Sequence, residues 1–281
     1  MDADLRLEQV LREAGVDACL LALHGTTGGS GRIQALLERA GVPYAGPNSR
    51  TTARAFDKLR ARACLAEHNV PVPTTVDLGG GDARGDDRTA LPARMIGWPA
   101  VLKPRFGSQQ RGLVHLEDQA AVADVLSGAT RPSLPGPHLL ERTIRGALEV
   151  QVVLFEGRVL GSMQIERTPS ANLLSCPPEL ARSSLRGVEN LARNAAAALG
   201  LGQAPTRVDV LLSVRHNEVV LEVEPLPPLH RDGVVALVAR SAGISYESLV
   251  ARVIHRMVVE RSGRSPRVRP SEASALAAAA L

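Results

Sequence analysis

Within residues 206–228, one arginine and three of the carboxylates have a spacing that could bind a divalent metal ion. Two runs rich in valine and leucine flank a polar turn at residues 215–218, which is the pattern of a β-hairpin. Because side chains alternate between the faces of a strand, four charged groups would share one face: Arg207, Asp209, Glu222 and Glu224. Carboxylates this close together, and partly out of water, repel one another strongly. A cation is therefore expected among them, and Mg²⁺ is favoured because it takes hard oxygen ligands and shares them with phosphates.

A register that pairs Val214 with Val219 would place Asp209 opposite Glu224. The other face of the hairpin would then face the core, through Val208, Val210, Leu212, Val219, Leu221 and Val223. A solvated acidic edge with Arg207 as its ion-pair partner is the alternative interpretation. The order Arg-x-Asp, then Glu-x-Glu before a proline-rich turn, favours the metal site.

Lys103 lies near the end of a predicted strand, residues 98–104, and a loop containing glycine and serine follows at residues 105–112. Such a strand and loop can fold over a polyphosphate, because the lysine supplies a point charge and the loop N–H groups supply donors. An ordinary hairpin loop is the alternative, and phosphate contact is favoured. Lys58 falls in a predicted helix that Ser49 or Thr51 caps and that runs to about His68. On its own it would be a solvated helix lysine.

A glycine-rich stretch, residues 24–31, follows a predicted buried strand at residues 17–23 and precedes a helix. Glycines before a helix N-terminus can bind an anion. The stretch matches neither a GxGxxG motif nor a P-loop. A tight strand-to-helix turn, with His24 packed at the strand end, is therefore the favoured interpretation.

The composition indicates a globular chain of 281 residues, long enough for two or three lobes with a core. The net charge is +4 and aromatic residues make up only 2% of the chain, so nucleic-acid binding is a weak hypothesis. Three widely spaced cysteines, Cys19, Cys64 and Cys176, favour free thiols in a reducing compartment. No signal-peptide core and no run near the ~20 apolar residues of a membrane span occurs. We therefore expect a cytoplasmic protein that does not engage a membrane.

Hydrophobic periodicity predicts a mixed chain of helices and strands. Strands are expected at residues 74–78, 113–116, 139–144, 148–155 and 158–165, and helices at residues 118–127, 234–239 and 246–259. A further helix is expected to start at Glu179 or Ser183 and to run to about Leu199. Residues 79–92 and 168–178 are predicted to be loops. Residues 261–281, basic and then rich in alanine, are predicted to be a frayed tail.

Seven segments, in this order, resemble the ATP-grasp superfamily and within it the D-alanine–D-alanine ligases. They are LALHGTTGGSGRIQALLERAGVPYAGPN, AFDKLRARACLAEHNVPVP, WPAVLKP, LLERTIRG, TRVDVLL, LEVEPLP and ARSAGISYESLVARVI, and the likeness extends to about Met257. The resemblance implies an α/β (α+β) fold in which two α+β subdomains, residues 55–142 and 143–259, sandwich ATP. A truncated α/β lobe, residues 1–54, would precede them, and residues 260–281 would be a disordered tail.

The resemblance also implies how ATP is held. Lys58 and Lys103 would contact its phosphates under a closing loop, residues 107–112, that includes Ser108 and Gly112. Adenine would be held by Glu141 and by the backbone at Thr143 and Ile144, and the ribose by Glu149. The carboxylates of Asp209, Glu222 and Glu224 would hold Mg²⁺ or Mn²⁺. Arg207, with Lys103, would be catalytic and stabilise the anionic intermediate.

The implied reaction is ATP-driven amide formation through an acyl phosphate, with D-alanine as a substrate and peptidoglycan, the cell-wall polymer, as the destination. A carboxylate is a poor electrophile, phosphorylation makes it reactive, and cations must neutralise the transferring phosphoryl group. Dimers are the habit of the family, which makes a homodimer the expectation here.

Several family features differ in this sequence, mainly where amino acids would bind. The glutamate-bearing first strand and loop of the family lie before the point at which this sequence starts. The usual paired serines read Gly107-Ser108-Gln109-Gln110, and a long covering loop is missing or shortened between Ile165 and Cys176. Glu224 replaces an asparagine ligand, and Pro228 falls near an oxyanion-hole glycine. A second hypothesis therefore stays open: a nucleotide-binding protein with lost or altered ligase activity that acts as a regulator or partner subunit.

Overall fold

The computed structural model describes residues 8–11, 13–23, 25–79, 96–107, 112–121, 136–144, 146–167, 172–213 and 218–263. The main body consists of two antiparallel sheets with separate cores, and a small N-terminal α/β portion packs beside them. The predicted loop at 79–92 and the predicted tail at 261–281 lie almost entirely outside the described residues.

The N-terminal portion contains a two-stranded parallel sheet, β1 (Cys19–Leu20) and β2 (Tyr44–Ala45), with helices α1 (Gly25–Gly29) and α2 (Arg32–Ala40) between them. The predicted strand at 17–23 is thus only two residues long, and the glycine-rich stretch is a short helix instead of a loop. Gly31 joins α1 to α2 at a φ of +83°. A Cβ atom there would lie 2.4 Å from the carbonyl oxygen of Ser49, so only glycine fits. His24 lies outside the described residues.

The predicted long helix starting near Ser49 is two helices, α3 (Ser49–Phe56) and α4 (Lys58–Glu67). The cap of α3 is Asn48, whose side chain accepts a hydrogen bond from the Thr51 N–H, and not Ser49 or Thr51 as predicted. Asp57 interrupts the helix in an extended conformation, and its carboxylate accepts the N–H groups of Leu59 and Arg60. This break makes Lys58 the first residue of α4.

The smaller sheet contains β3 (Thr75–Gly79), β4 (Ala100–Pro104), β5 (Val114–Leu116) and β6 (His138–Arg142) in the order β3-β6-β4-β5. Its own core is formed by Ile96, Ala100, Leu102, Val114, Leu116 and Leu140. Strands β4 and β6 pair directly, with Lys103 opposite Leu139 and Val101 opposite Glu141. The two strands that carry Lys103 and Glu141 are therefore neighbours in the sheet.

The larger sheet contains β7 (Leu148–Phe155), β8 (Arg158–Arg167), β9 (Asn172–Ser175), β10 (Thr206–Leu212) and β11 (Val219–Glu224), in the order β11-β10-β7-β8-β9. Strand β9 lies where a loop was predicted, and it pairs with β8. Helix α5 (Arg182–Leu199) packs with α4 into one core of this sheet. Helices α6 (Val234–Ser241) and α7 (Tyr246–Gly263) form a second core with it.

The register of the β10–β11 hairpin differs from the predicted one. Arg207 lies opposite Glu224, and Asp209 lies opposite Glu222. A bulge after Asp209 then shifts the pairing, so that Val210 faces Val220. Because of this bulge Val220 is buried, whereas Leu221, a predicted core residue, lines a cavity. The four charged residues nevertheless line that cavity together, as predicted from strand alternation.

No single helix among the described residues is long and apolar enough to cross a membrane. The helices Val234–Ser241 and Tyr246–Arg256 are long and apolar enough only when they are taken together, and the chain bends by 111° between them. Its buried apolar side chains, such as Val235 and Leu249, pack in the core of the larger sheet.

Candidate active site

A cavity of about 920 Å³ lies between the two sheets. Its walls come from β4 and β6 on one side and from β7, β10 and β11 on the other, with Gly25 and Gly29 of α1. The predicted site residues that line it are Lys58, Lys103, Glu141, Thr143, Ile144, Glu149, Arg207, Asp209, Glu222 and Glu224. Gly112 does not line it, although its neighbour Leu113 does, and Ser108 lies outside the described residues.

Lys103 and Glu141 form a buried ion pair across β4 and β6. The Lys103 Nζ lies 2.8 Å from Oε1 and 2.7 Å from Oε2 of Glu141. Burial lowers the pKa of Lys103 to about 8, and the Glu141 carboxylate opposes that decrease only in part. Arg62 pairs with the same carboxylate. Two cations therefore share one anion in the wall of the cavity.

The predicted phosphate loop is tied to helix α4 where the loop begins. The Lys58 Nζ donates to the carbonyl oxygen of Gly107 at 2.5 Å, and the Lys58 N–H donates to that of Arg105. Arg105 in turn donates to both oxygens of Asp57, at 2.8 and 2.7 Å. Burial is the main cause of a lowered pKa at Lys58, which faces the carboxylates of Glu222 and Glu224. A phosphate group would bring compensating negative charge to this lysine.

The carboxylates of the β10–β11 hairpin lack sufficient positive charge in the protein alone. Arg207 donates to both oxygens of Asp209, at 2.7 and 3.0 Å. Burial, together with the nearby charge of Glu222, raises the pKa of Glu224 to about 7. Burial also raises the pKa of Glu222, against the opposing effect of Lys58. A cation beside them would lower both pKa values and favour the charged forms.

The carboxylates of the β10–β11 hairpin fit a Mg²⁺ ion whose other ligands come from outside the protein. Within the described part of the chain, no group of three or more His, Cys, Asp and Glu side chains could hold a metal ion by itself. Mg²⁺ is commonly held by one or two carboxylates, with substrate phosphates and water completing its shell. The carboxylates of Glu222, Glu224 and Asp209 therefore fit a magnesium ion that arrives with a nucleotide.

The predicted nucleotide-binding residues come from both walls of the cavity. Thr143 and Ile144 follow β6, while Glu149 lies on β7. The Thr143 N–H is already bonded to the carbonyl oxygen of Pro99 at 3.0 Å, so it has no free backbone donor. Glu149 accepts from the Gln151 side chain at 3.2 Å, and Gln151 lies opposite Asp209.

Arg62 and Arg105 were not predicted from the sequence, because their partners are distant along the chain. A simple signal for the two lysines was also overlooked. The chain contains 33 lysines and arginines, and only two of these are lysines, Lys58 and Lys103. Both line the cavity. In a chain that otherwise uses arginine, those two positions stand out as places where a compact ammonium group is required.

No protein-family model matches the chain, but individual proteins do. It is similar to the D-alanine–D-alanine ligase of Desulforudis audaxviator, with 30% identity over 275 residues that cover 93% of this chain and 87% of that protein. The corresponding enzyme of Anaeromyxobacter sp. (strain Fw109-5) is 29% identical over 266 residues, 90% of this chain and 84% of the relative.

Solved structures give the same family. The D-alanine–D-alanine ligase of Bacillus anthracis complexed with ATP superposes with a TM-score of 0.77 and 25% identity, over 92% of this chain and 85% of that one. The VanG D-Ala:D-Ser ligase of Enterococcus faecalis shares the fold, with a TM-score of 0.72 and 21% identity over 86% of this chain and 73% of that one. The chain belongs to the D-alanine–D-alanine ligase family of ATP-grasp proteins and is an ATP- and Mg²⁺-dependent ligase that forms a C–N bond.

Proposed function

We propose that this protein joins two molecules of D-alanine into a dipeptide for peptidoglycan synthesis. The observation that carries the proposal is the cavity between the sheets, which brings Lys58 and Lys103 together with Asp209, Glu222 and Glu224. These are the charges that a magnesium-bound polyphosphate needs. The D-alanine–D-alanine ligases of Desulforudis audaxviator and Bacillus anthracis match this chain over nearly its whole length, which supports the choice of substrate.

The proposed reaction has two steps. A carboxylate oxygen of the first D-alanine attacks the γ-phosphorus of ATP, which forms an acyl phosphate and releases ADP. The amine of the second D-alanine then attacks the acyl carbon, and inorganic phosphate leaves with the original carboxylate oxygen. Positioning and neutralisation of the phosphate charge account for most of the catalysis in such transfers.

Each wall of the cavity has a proposed task. Lys58 and Lys103 contact the phosphates, and the loop at residues 107–112, with Ser108 and Gly112, closes over them. Glu141 and the backbone at Thr143 and Ile144 hold adenine, and Glu149 holds the ribose. For the backbone N–H that contacts adenine, we favour Ile144 over Thr143, because the Thr143 N–H already donates to the carbonyl oxygen of Pro99.

Asp209, Glu222 and Glu224 are the proposed magnesium ligands. When bound, the ion supplies neutralisation of the charge on the reacting phosphate. Glu224 adds a negative charge where the family usually has asparagine, so we expect tight metal binding or slow turnover here. Arg207 keeps the Asp209 carboxylate fixed and is the proposed cation for the anionic intermediate. This role gains weight because Pro228, which lines the cavity, has no N–H to donate.

The test is to incubate the purified protein with Mg²⁺, ATP and either D-alanine or L-alanine. We expect D-alanine-dependent phosphate release and a dipeptide detected by mass spectrometry, with neither product in EDTA. Nucleotide binding without amino-acid-dependent phosphate release would contradict the proposal and support a regulatory role. Loss of activity in Asp209→Asn would add support for the site assignment.

We also propose that the protein is a cytoplasmic homodimer. All three cysteines are free thiols, which suits a reducing compartment, and dimers are the habit of the family. Light scattering after size-exclusion chromatography would give the mass in solution. A mass near 29.7 kDa, that of one chain, would contradict the dimer.

A further inference from the structure

Arg62 is a buried cation to which the family motifs assign no role. It is 6% exposed and lies four residues after Lys58 on α4. Residues with this spacing share a helix face, and both side chains point toward the space between the sheets. Lys58 lines the cavity, whereas Arg62 lies behind the wall.

The guanidinium group of Arg62 connects the two walls of the site. It donates to the Thr75 hydroxyl on β3 at 2.8 Å and pairs with Glu141 on β6, both in the smaller sheet. It also donates to the carbonyl oxygen of Leu221 on β11, next to Glu222 in the larger sheet, at 3.3 Å. Helix α4 itself packs through Ala61 and Leu65 in the core of the larger sheet. Arg62 therefore reaches across from one body to the other.

We propose that Arg62 is a positioning residue for nucleotide binding, which keeps Glu141 in place and paired when Lys103 moves to the ATP phosphates. The inference rests on the proposed function, in which Lys103 contacts phosphate and Glu141 contacts adenine. In the structure, the Lys103 ammonium group donates to Oε1 of Glu141 and forms an ion pair with Oε2. Lys103 can leave Glu141 and pair with a phosphate at low cost only if Glu141 keeps another cationic partner.

The physical reason is the cost of an unpaired buried charge. Glu141 is 5% exposed. Removing one partner from a buried ion pair is strongly destabilising, because the other charge remains uncompensated. With Arg62 present, the transfer of Lys103 leaves Glu141 paired. Without it, Glu141 would hold Lys103 more tightly and compete with the nucleotide.

The planar shape of the guanidinium group lets Arg62 contact several groups in fixed directions. Arginine can bond Thr75, Glu141 and Leu221 at once, whereas lysine offers a single ammonium group. Arg62→Lys should therefore keep the charge beside Glu141 but lose part of the connection between the sheets. Arg62→Gln loses the charge.

The experiment is calorimetric titration with Mg²⁺ and a non-hydrolysable ATP analogue, so that binding is measured without turnover. We expect Arg62→Gln to weaken binding about tenfold or more, which is ~1.4 kcal/mol, and Arg62→Lys to weaken it less. Arg50→Gln is the matched control, because Arg50 is an exposed arginine on the neighbouring helix α3. Its affinity should equal that of the unmodified protein.

A double-mutant cycle with Glu141→Gln separates the proposed role from a general structural one. If Arg62 acts through the charge of Glu141, then Arg62→Gln should have little further effect in the Glu141→Gln background. An equal loss in both backgrounds, or no loss in the unmodified protein, would overturn the inference. If Arg62→Gln does not fold, Arg62→Lys is measured alone. Because it keeps the charge beside Glu141, it should lose less than tenfold in affinity, and a larger loss would overturn the inference. Failure of the unmodified protein to bind the analogue would instead overturn the proposed function.

Discussion

Lys103 and Glu224 have pKa values that burial shifts in opposite directions. The pKa of Lys103 falls to about 8, and that of Glu224 rises to about 7. Both shifts express the same cost, which is the loss of water around a charge. A phosphate would raise the pKa of the lysine again, and a divalent cation would lower that of the glutamate. Magnesium-bound ATP brings both, which is why the two groups are best understood as parts of one site.

The two lysines provide a direct test of nucleotide position. We expect an amine-reactive reagent to label Lys58 and Lys103 through the cavity, and saturating Mg²⁺ and ATP to reduce this labelling about tenfold or more by occupying it. Peptide mass spectrometry would measure the labelling. The N-terminal amino group is the internal control and should react equally with and without ATP. Unchanged labelling of both lysines would count against their contact with phosphate.

At these positions the sequence was informative because chemistry alone singles out the residues. The carboxylates of the β10–β11 hairpin were predicted from strand alternation, and Lys103 from its place before a glycine-containing loop. Arg62 was not predicted, since one helix arginine among many carries no signal of its own. Its role depends on Thr75, Glu141 and Leu221, which only the tertiary fold brings together.

Asp57 shows how an interrupted helix positions the site. Its carboxylate caps α4 through the N–H groups of Leu59 and Arg60 and also binds Arg105. Burial alone would raise the pKa of Asp57, but the hydrogen bonds from Arg105 and the backbone outweigh it, and the net effect is a lowered pKa. The carboxylate thereby fixes the start of the helix that presents Lys58.

This arrangement predicts a pH-dependent contribution to stability. Because the pKa of Asp57 is lower in the folded state, its contribution is present above the unfolded-state value of about 4. It is lost as the pH falls through the folded-state pKa. We expect Asp57→Asn to reduce the free energy of unfolding by about 1–3 kcal/mol at pH 7.

Urea unfolding at neutral and acid pH would measure the effect. The difference between Asp57→Asn and the unmodified protein should shrink at acid pH. Asp118→Asn is a suitable control, since Asp118 is an exposed carboxylate that accepts one backbone N–H. A difference for Asp57→Asn that stayed constant down to ~pH 3, well below the unfolded-state pKa, would show that the charge of Asp57 is not involved.

The elements themselves were predicted with mixed success, for identifiable reasons. Strand β7 has the predicted bounds because its apolar residues are interrupted only by Glu149 and Gln151, which alternate onto one face as a strand requires. The register of β10 and β11 was wrong because a bulge after Asp209 changes which residues face each other, and alternation alone cannot reveal a bulge. Strand β9 was predicted to be a loop because a segment of four residues is too short to show a strand pattern in the sequence. It is a strand because it pairs with β8 in the folded protein.

Gly31 gives a prediction about the link between α1 and α2. Alanine there would adopt a left-handed φ and also place Cβ 2.4 Å from the Ser49 carbonyl oxygen. We expect Gly31→Ala to destabilise the protein by more than ~2 kcal/mol. Gly243 has a similar φ of +78°, and no atom lies within 4 Å of the position that a Cβ would take, so Gly243→Ala should cost only about 1 kcal/mol. Equal losses in urea unfolding would contradict the proposed steric clash.

The main body of the described chain is two sheets with separate cores that face each other across a cavity. Contacts that cross between these bodies near the cavity include Asp57 with Arg105, Lys58 with Gly107, and Arg62 with Glu141. All three start from α4 or the residue before it. This helix therefore sets the spacing of the two walls, and a nucleotide held between them contacts both sheets at once.

If the cavity phosphorylates a carboxylate, an oxygen atom of that carboxylate leaves with the released phosphate, and an ¹⁸O label traces it. D-Alanine labelled with ¹⁸O in its carboxylate is incubated with the protein, Mg²⁺ and unlabelled ATP, and the released phosphate is analysed by mass spectrometry. An acyl phosphate predicts that each phosphate carries one ¹⁸O atom from the substrate. Phosphate released without ¹⁸O would mean that water, and not the carboxylate, attacks ATP, and would contradict the account.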